Sequence, residues 1–181
     1  MQTIRWKPES GEGLEHLVLD EEPDVISARS VVIGADNGEA YGLSYRIDLR
    51  PDWSVKAFHI DVAGGASLRL VSHGQGGLWD KAGLFVPELF GCVDIDISAT
   101  PFTNTLPIRR LKLAPGERHV VRVVYVSVPS LRMHAAEQAY TRLHADGCYL
   151  YESVDSGFRA ELQTDADGLV IDYPGLFRRV S

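Results

Sequence analysis

The chain has 181 residues, of which 45% are hydrophobic and 24% charged, a composition typical of one folded domain with a sizeable core. Lys and Arg number 18 against 25 Asp and Glu, which gives a formal net charge of −7. Because no long basic cluster offsets this charge, nucleic acid and anionic membrane surfaces are excluded as expected partners. No stretch reaches the ~18 apolar residues of a transmembrane segment.

The start of the chain and its two cysteines bear on the compartment. Residues 1–8 lack the apolar run of a signal peptide, so we expect a cytoplasmic protein. Cys92 and Cys148 lie far apart without a CxxC spacing, and two such thiols are more often reduced, buried residues than a disulfide.

Apolar and polar residues alternate with a period of two along most of the chain, which predicts β-strands. In chain order the predicted strands are 14–19, 28–35, 41–49, 53–61, 67–71, 92–98, 108–113, 118–128, 137–144, 148–154, 158–164 and 169–173. Turn signals arrive every ~8–12 residues, as in sandwiches, barrels and rolls. The prediction is therefore a mostly-β fold that forms a single domain over residues 1–181.

The strand assignments differ in strength along the chain. The clearest is 158–164, which is followed by Asp165–Gly168 and a second alternating run, so a hairpin is predicted there. Residues 135–143 contain good helix formers, but the Asp146-Gly147 hairpin signal favours a strand. Residues 73–77 are Gly-rich and predict a turn between strands rather than a phosphate-binding loop, since the required lysine is missing.

The least ordinary segment is 91–111. Within its strand portion Asp94 and Asp96 share one face, although Asp is a poor strand former. Two explanations are equally compatible with this pattern. The aspartates either lie on a solvent face opposite the core, or they serve a polar site.

The rest of this segment carries further polar groups. Residues 100–107 are dense in hydroxyl and amide side chains, and two prolines predict a rigid loop, which either holds a ligand or only caps its own turn. In the predicted strand 108–113, Arg109 and Arg110 point to opposite faces, so one of them is carried inward. A buried guanidinium needs a carboxylate partner, and Asp94 and Asp96 are the nearest in sequence. Such a network is either structural or part of a polar pocket.

Aromatic residues and known catalytic motifs complete the survey. Tyr149 and Tyr151 share a strand face, where rings either fill the core or line a cavity. No HExxH, CxxC or GxSxG motif is present, so we expect no catalytic residue, metal or cofactor. Asp94 and Asp96 could form a paired-carboxylate site, but their spacing alone proves little.

The segment 91–111 resembles the signature of the bacterial putative glycolipid-binding family, formerly a domain of unknown function. Three further pieces of the chain agree with it: Ser44-Tyr45 followed by Asp52-Trp53, residues 138–141, and residues 168–177. The resemblance spans nearly the whole chain. It implies a spiral β-roll, a strongly curved antiparallel sheet around a cavity, similar to the periplasmic lipoprotein carriers.

The resemblance also implies which residues contact a ligand. They are Trp53, Asp94, Asp96, Thr100, Thr103, Asn104, Arg109, Arg110, Gln138, Tyr140 and Tyr173. The leading hypothesis is a non-catalytic protein that binds an amphipathic small molecule, such as a glycolipid, with apolar strand faces around the acyl part. The alternatives are a hydrolase of sugar or lipid esters with Asp94 or Asp96 as base, and an interaction domain without a small ligand. The sequence leaves the ligand and the oligomeric state open.

Overall fold

The computed structural model describes residues 1–74 and 79–180 of the protein. Within these residues almost all regular structure is β, with one α-helix, α1 (Phe102–Leu111), and one short 3-10 turn at Pro87–Leu89. The strands are β1 (Gln2–Pro8), β2 (Gly13–Glu21), β3 (Ile26–Asp36), β4 (Glu39–Leu49), β5 (Val55–Val62), β6 (Ser67–Ser72), β7 (Trp79–Lys81), β8 (Leu84–Phe85), β9 (Asp94–Ile97), β10 (Arg118–Val126), β11 (Met133–Arg142), β12 (Cys148–Ser153), β13 (Arg159–Thr164), β14 (Val170–Tyr173) and β15 (Phe177–Val180).

These strands form one curved sheet that does not close on itself, in the order β8-β7-β6-β5-β4-β3-β2-β1-β15-β14-β13-β12-β11-β10-β9. Neighbours are antiparallel except for β9 and β10, which run parallel. β1 pairs with both β2 and β15, with Arg5 opposite Val180, so the two ends of the chain lie side by side in mid-sheet. Register shifts at Asp48/Leu49 and Gln163/Thr164 add local bends to the normal twist.

The buried apolar residues form two groups. The first, which we name the aliphatic core, joins the inner faces of β1–β6 to β9, β10 and one side of α1. Most of its members are aliphatic, and its largest fully buried side chains include Trp6, Trp79, Phe58, Phe102, Leu17, Ile47 and Leu70. The second, the tyrosine core, lies against β10–β14. Its members include Val123, Tyr140, Tyr149, Tyr151, Leu162 and Tyr173.

Helix α1 lies between these two groups, and residues 102–108 of it are buried. Phe102 and Leu106 belong to the aliphatic core, whereas Ile108 belongs to the tyrosine core. The helix ends at Lys112, whose φ of 51° is left-handed. It packs closely on the β13–β14 turn, where a Cβ on Gly168 would lie 3.1 Å from Cγ2 of Ile108. The helix thus packs between the aliphatic core and the tyrosine core.

The helix overturns two predictions. Residues 100–107 are not mainly a loop, and the predicted strand 108–113 is wrong, because α1 covers most of both. Its sequence contains Pro107, Asn104 and two threonines, all poor helix formers in the middle of a helix. Its stability comes from burial on both sides rather than from intrinsic propensity.

The other strand predictions are confirmed with shifted ends. The ambiguous segment is a strand, β11, and residues 165–168 form the turn of the β13–β14 hairpin. The predicted strand 53–61 begins later, at Val55, because Trp53 lies in a turn with φ of 67°. β9 differs from its neighbours because it pairs in parallel with β10. The predicted Gly-rich turn lies partly outside the described residues, and both cysteines are free and buried as predicted.

Candidate ligand-binding site

A cavity of ≈520 Å³ is lined mainly by residues of β9–β12, beside the start of α1. Its volume is in the usual range for small-molecule sites, about 300–1,000 Å³. It is partly open to solvent, so a ligand can enter without unfolding of the sheet. The cavity is lined by Asp96, Ile97, Ser98, Thr100, Asn104, Tyr125, His134, Ala136, Gln138, Tyr151, Ser153, Asp155, Ser156, Phe158, Tyr173, Leu176 and Phe177.

Asp96 is the charged group at the inner end of the polar wall. It lies on β9 opposite Tyr125 of β10, and this register turns its side chain toward the inside of the sheet. Thr103 Oγ1 donates to its Oδ1 at 3.0 Å, and Gln138 Nε2 donates to its Oδ2 at 2.6 Å. Burial raises the pKa of Asp96, while the bonds from Gln138 and Thr103 oppose that rise. Its carboxylate is held in position by two neutral donors rather than by a cation.

A second set of hydrogen bonds fixes the amides on the same wall. Tyr140 donates its hydroxyl to Asn104 Oδ1 at 3.0 Å and lies 3.4 Å from Gln138 Oε1. Asn104 Nδ2 in turn donates to the carbonyl of Pro101 at 3.2 Å. Since both amides are bonded to protein groups, their orientation is set before any ligand arrives.

A second wall of the cavity is aromatic and apolar. Tyr151 and Tyr173 meet edge to face with ring centroids 6.0 Å apart, and Phe158 lies within 6.4 Å of both rings. Burial raises the pKa values of Tyr151 and Tyr173, so both hydroxyls stay protonated. Phe158 and Leu176 remain about 40% exposed at the rim (42% and 39%). This wall offers apolar surface together with two phenolic donors.

The structure separates the predicted site residues into three places. Asp96, Thr100, Asn104, Gln138 and Tyr173 line the cavity, and Thr103 and Tyr140 support them from behind.

Asp94 and Arg110 form a pair outside the cavity lining. Arg110 donates from Nε and Nη2 to both carboxylate oxygens of Asp94, whose side chain is 0% exposed. The expectation that a buried Asp in β9 partners one of the two arginines is met. The solvent-face explanation for Asp94 is wrong, because its carboxylate is fully buried.

Trp53 and Arg109 lie in a third place. The Arg109 guanidinium stacks over the Trp53 ring, 4.4 Å from its centroid, and donates to Glu21 at 3.2 Å and to the carbonyl of Asp167 at 2.8 Å. Neither residue lines the cavity described above. Arg109 and Trp53 therefore join α1 to two surface turns.

Sequence reasoning missed several lining residues for identifiable reasons. For Tyr151 the strand pattern left core packing and cavity lining open, and Tyr125 carries no signal that distinguishes it from a core residue. Leu176 and Phe177 lie at the end of the 168–177 run that resembles the family signature. His134 and Ser153 carry no local signal, since only strand pairing brings them to the cavity.

The comparisons with known proteins support the family resemblance and the fold. Residues 3–179 match the family described as "Putative glycolipid-binding". The chain belongs to this family. A crystal structure of a DUF1089 family protein from Pseudomonas aeruginosa is similar to it, with 43% sequence identity and a TM-score of 0.83. The match covers 93% of this chain and 92% of that one.

No curated protein matches the chain. The glycolipid-binding description is thus the only functional statement that similarity supplies, and it names no ligand. Within the described residues, no helix has the length and apolar character needed to cross a bilayer.

Proposed function

We propose that the protein binds an amphipathic ligand of the glycolipid type in the ≈520 Å³ cavity, without catalysis. One observation supports this most: the two walls of the cavity differ in chemistry. An aromatic and apolar wall adjoins a wall of prearranged amide, carboxylate and hydroxyl groups, and the Tyr151 ring packs edge to face on Tyr140 with centroids 5.5 Å apart. An acyl chain fits the first wall and a hydroxyl-bearing head fits the second.

The polar wall is suited to sugar hydroxyls. Asp96 and Asn104 each keep lone pairs beyond the bonds that the protein makes, and a carboxylate accepts up to about four hydrogen bonds. Because Gln138 and Thr103 already fix Asp96, a ligand hydroxyl would meet an ordered acceptor. Prearranged acceptors reduce the entropy lost on binding.

The hydrolase hypothesis gains no support from this geometry. Both oxygens of Asp94 accept from Arg110, and Asp94 does not line the cavity. Of the two aspartates in that hypothesis only Asp96 lines the cavity, and both of its oxygens already accept hydrogen bonds, from Thr103 and Gln138.

Protein purified from its own host gives a direct test. Native mass spectrometry should show a retained lipid, and octyl β-D-glucoside should raise the melting temperature. Ala136→Trp, which fills the cavity from β11, should abolish both signals. Glu137→Trp is the matched control, because its side chain is exposed on the other face of the same strand. The proposal fails if wild-type protein retains no lipid and shows no shift, or if Ala136→Trp behaves like Glu137→Trp.

A further inference from the structure

A second, smaller cavity of ≈220 Å³ adjoins the first. The two share Ser98, Leu176 and Phe177 in their linings, so these residues stand between them. The smaller cavity lies against the inner side of β2–β4 and the turn before β15. A ligand head that passes the shared residues would reach groups on the N-terminal half of the sheet.

Glu15 is the unusual residue in this second cavity. It lies on β2 on the same face as Leu17 and Leu19, and it is only 2% exposed. Its Oε1 accepts from Ser30 at 2.8 Å and from Tyr45 at 2.6 Å. Its Oε2 is buried and has no hydrogen-bond partner among the described residues.

An unpartnered carboxylate oxygen is costly in the interior of a protein. A buried polar atom that makes no hydrogen bond gives up its hydrogen bonds to water without replacement, and the loss is greater when the atom is charged. Native structures contain few such atoms. An aliphatic residue would continue the pattern of Leu17 and Leu19 without that cost. The position of Glu15 therefore indicates an acceptor that is satisfied by something that enters the cavity.

Hydrogen bonds connect this carboxylate to the main cavity. Tyr45, which donates to Glu15, lies 3.3 Å from the hydroxyl of Thr100, and Thr100 lines the larger cavity. Thr100 Oγ1 also accepts from the backbone N–H of Phe102 at the start of α1. The two cavities thus share a polar boundary that α1 and β4 hold in place.

The charges around both cavities restrict what can bind. The carboxylates in the two linings are Asp96, Asp155, Glu12, Glu15 and Asp36. Neither lining contains a Lys or Arg among the described residues, and His134 is the one imidazole in them. Arg109 and Arg110, which the family resemblance implied as ligand contacts, lie elsewhere, paired with Glu21 and Asp94. A phosphate or sulfate would meet acceptors and negative charge without a cation.

We propose that Glu15 forms a second polar subsite, in which Oε2 accepts a hydrogen bond from a hydroxyl or ammonium group of the ligand head. This inference rests on the proposed function, and it names the ligand class more narrowly. The head is neutral or cationic and rich in donors, not anionic. Asp96 and Glu15 then hold two parts of one head group from the two sides of Thr100.

Calorimetric titration of wild-type protein with four octyl amphiphiles tests the subsite at a pH above about 8, where Glu15, whose pKa burial raises to about 7, is ionised and can only accept. Octyl β-D-glucoside carries hydroxyl donors, octylammonium carries an ammonium donor, and octyl sulfate carries an anion. The methyl ether of octyl tetraethylene glycol has acceptors and no donor. The wild type should bind the glucoside or the ammonium at least about tenfold more tightly than the ether and the sulfate. Whichever of the glucoside and the ammonium binds more tightly shows whether a hydroxyl or an ammonium group donates to Oε2.

Glu15→Gln is the decisive variant, because its amide oxygen can still accept from Ser30 and Tyr45 while an NH2 donor replaces Oε2. It should lose about tenfold in affinity for the preferred donor amphiphile and less than about twofold for the ether. Glu161→Gln removes the same charge from an exposed position on β13 and should change none of the four affinities.

The outcomes separate this inference from the proposed function. If wild type and Glu15→Gln show the same affinities, or if the sulfate binds as tightly as the donors, the subsite is overturned while cavity binding survives. If no amphiphile, including the ether, binds to wild type, the proposed function fails first. If Glu15→Gln does not fold, a crystal structure of wild type with octyl β-D-glucoside decides. A hydroxyl at hydrogen-bond distance from Oε2 supports the subsite, and a head that leaves Oε2 unbonded contradicts it.

Discussion

The aliphatic core and the tyrosine core belong to one sheet, yet they are packed differently. In the first, leucines, isoleucines and the rings of Phe58 and Phe102 fill the space between β1–β6 and α1. In the second, tyrosines border an open cavity of ≈520 Å³. The comparison shows how one continuous sheet combines a half that is mostly close-packed and supports α1, apart from the ≈220 Å³ cavity beside Glu15, with a more open half that can receive a ligand. A tyrosine can border a cavity because its ring packs while its hydroxyl meets polar groups.

The largest expected effect is in the close-packed half. Phe102→Ala removes a ring that is 0% exposed between α1 and the aliphatic core. It should lower the free energy of unfolding by about 3–5 kcal/mol, measured by urea denaturation, because a close-packed site collapses only partly around a lost ring. A loss below about 1 kcal/mol would mean that this half is not close-packed.

The second effect depends on pH and concerns the boundary between the halves. Burial raises the pKa of Glu15 from 4.5 to about 7, although the hydroxyls of Thr100, Tyr45 and Ser30 oppose the rise. Between these values the folded protein holds more protons than the unfolded chain, so its stability falls as pH rises from about 4.5 to 7. The total loss is on the order of 3 kcal/mol.

Glu15→Gln removes this titration and supplies the control. Since burial also raises the pKa values of Asp94 and Asp96, the measured quantity is the difference between wild type and variant across pH 5 to 8. The variant should gain stability relative to wild type as pH rises. A difference that stays constant over this range would show that Glu15 is not a buried, titrating acid.

The third effect concerns the two aspartates of β9. Asp94 pairs with Arg110, whereas Asp96 bonds to neutral groups and lines the cavity. Asp94→Asn leaves Arg110 without its charged partner and should cost about 2–3 kcal/mol. Asp96→Asn should cost less, about 1 kcal/mol, because its partners are neutral, but it should weaken binding of octyl β-D-glucoside. Equilibrium unfolding and calorimetry measure both quantities, and equal losses of stability would contradict the division of roles.

The smallest effect on stability is expected at the more open half. The Tyr173 hydroxyl bonds to no described residue, so Tyr173→Phe should change the free energy of unfolding by less than about 0.5 kcal/mol. It should nevertheless weaken amphiphile binding if the hydroxyl donates to the ligand. Tyr140→Phe is the comparison, since it loses the bond to Asn104 and about 1 kcal/mol. Equal losses of stability in both variants would contradict the assignment of Tyr173 to the cavity lining and of Tyr140 to the hydrogen bonds behind it.

Local pattern was sufficient to predict most of the strands. The segment 158–164 and its turn at Asp165–Gly168 were identifiable because alternation and turn chemistry act over a few residues. β1, β15, β7 and β8 were not predicted. β7 and β8 are short, and β1 and β15 support each other by pairing across the whole length of the chain.

The candidate site was only partly predictable. Asp96, Asn104 and Gln138 were indicated by the family resemblance and do meet in one place. Arg109 was indicated by the same resemblance, but α1 carries it to Trp53, outside this cavity. Glu15 carried a signal in the sequence, because it is an acidic residue on the face of β2 that also carries Leu17 and Leu19. The cytoplasmic location of the protein remains a prediction from the sequence.

The sequence by itself determined the β class, most of the strand positions, the reduced cysteines and the family. The first three properties follow from residue periodicity, turn chemistry and spacing, which can be read from the printed order of residues, and the family follows from the resemblance of segment 91–111 to a known signature. Only the tertiary structure decided that residues 102–111 are helical, that Asp94 pairs with Arg110, and that β11 and β12 bring His134 and Ser153 to a cavity. Those features depend on burial and on partners distant in sequence, and such partners override local propensity.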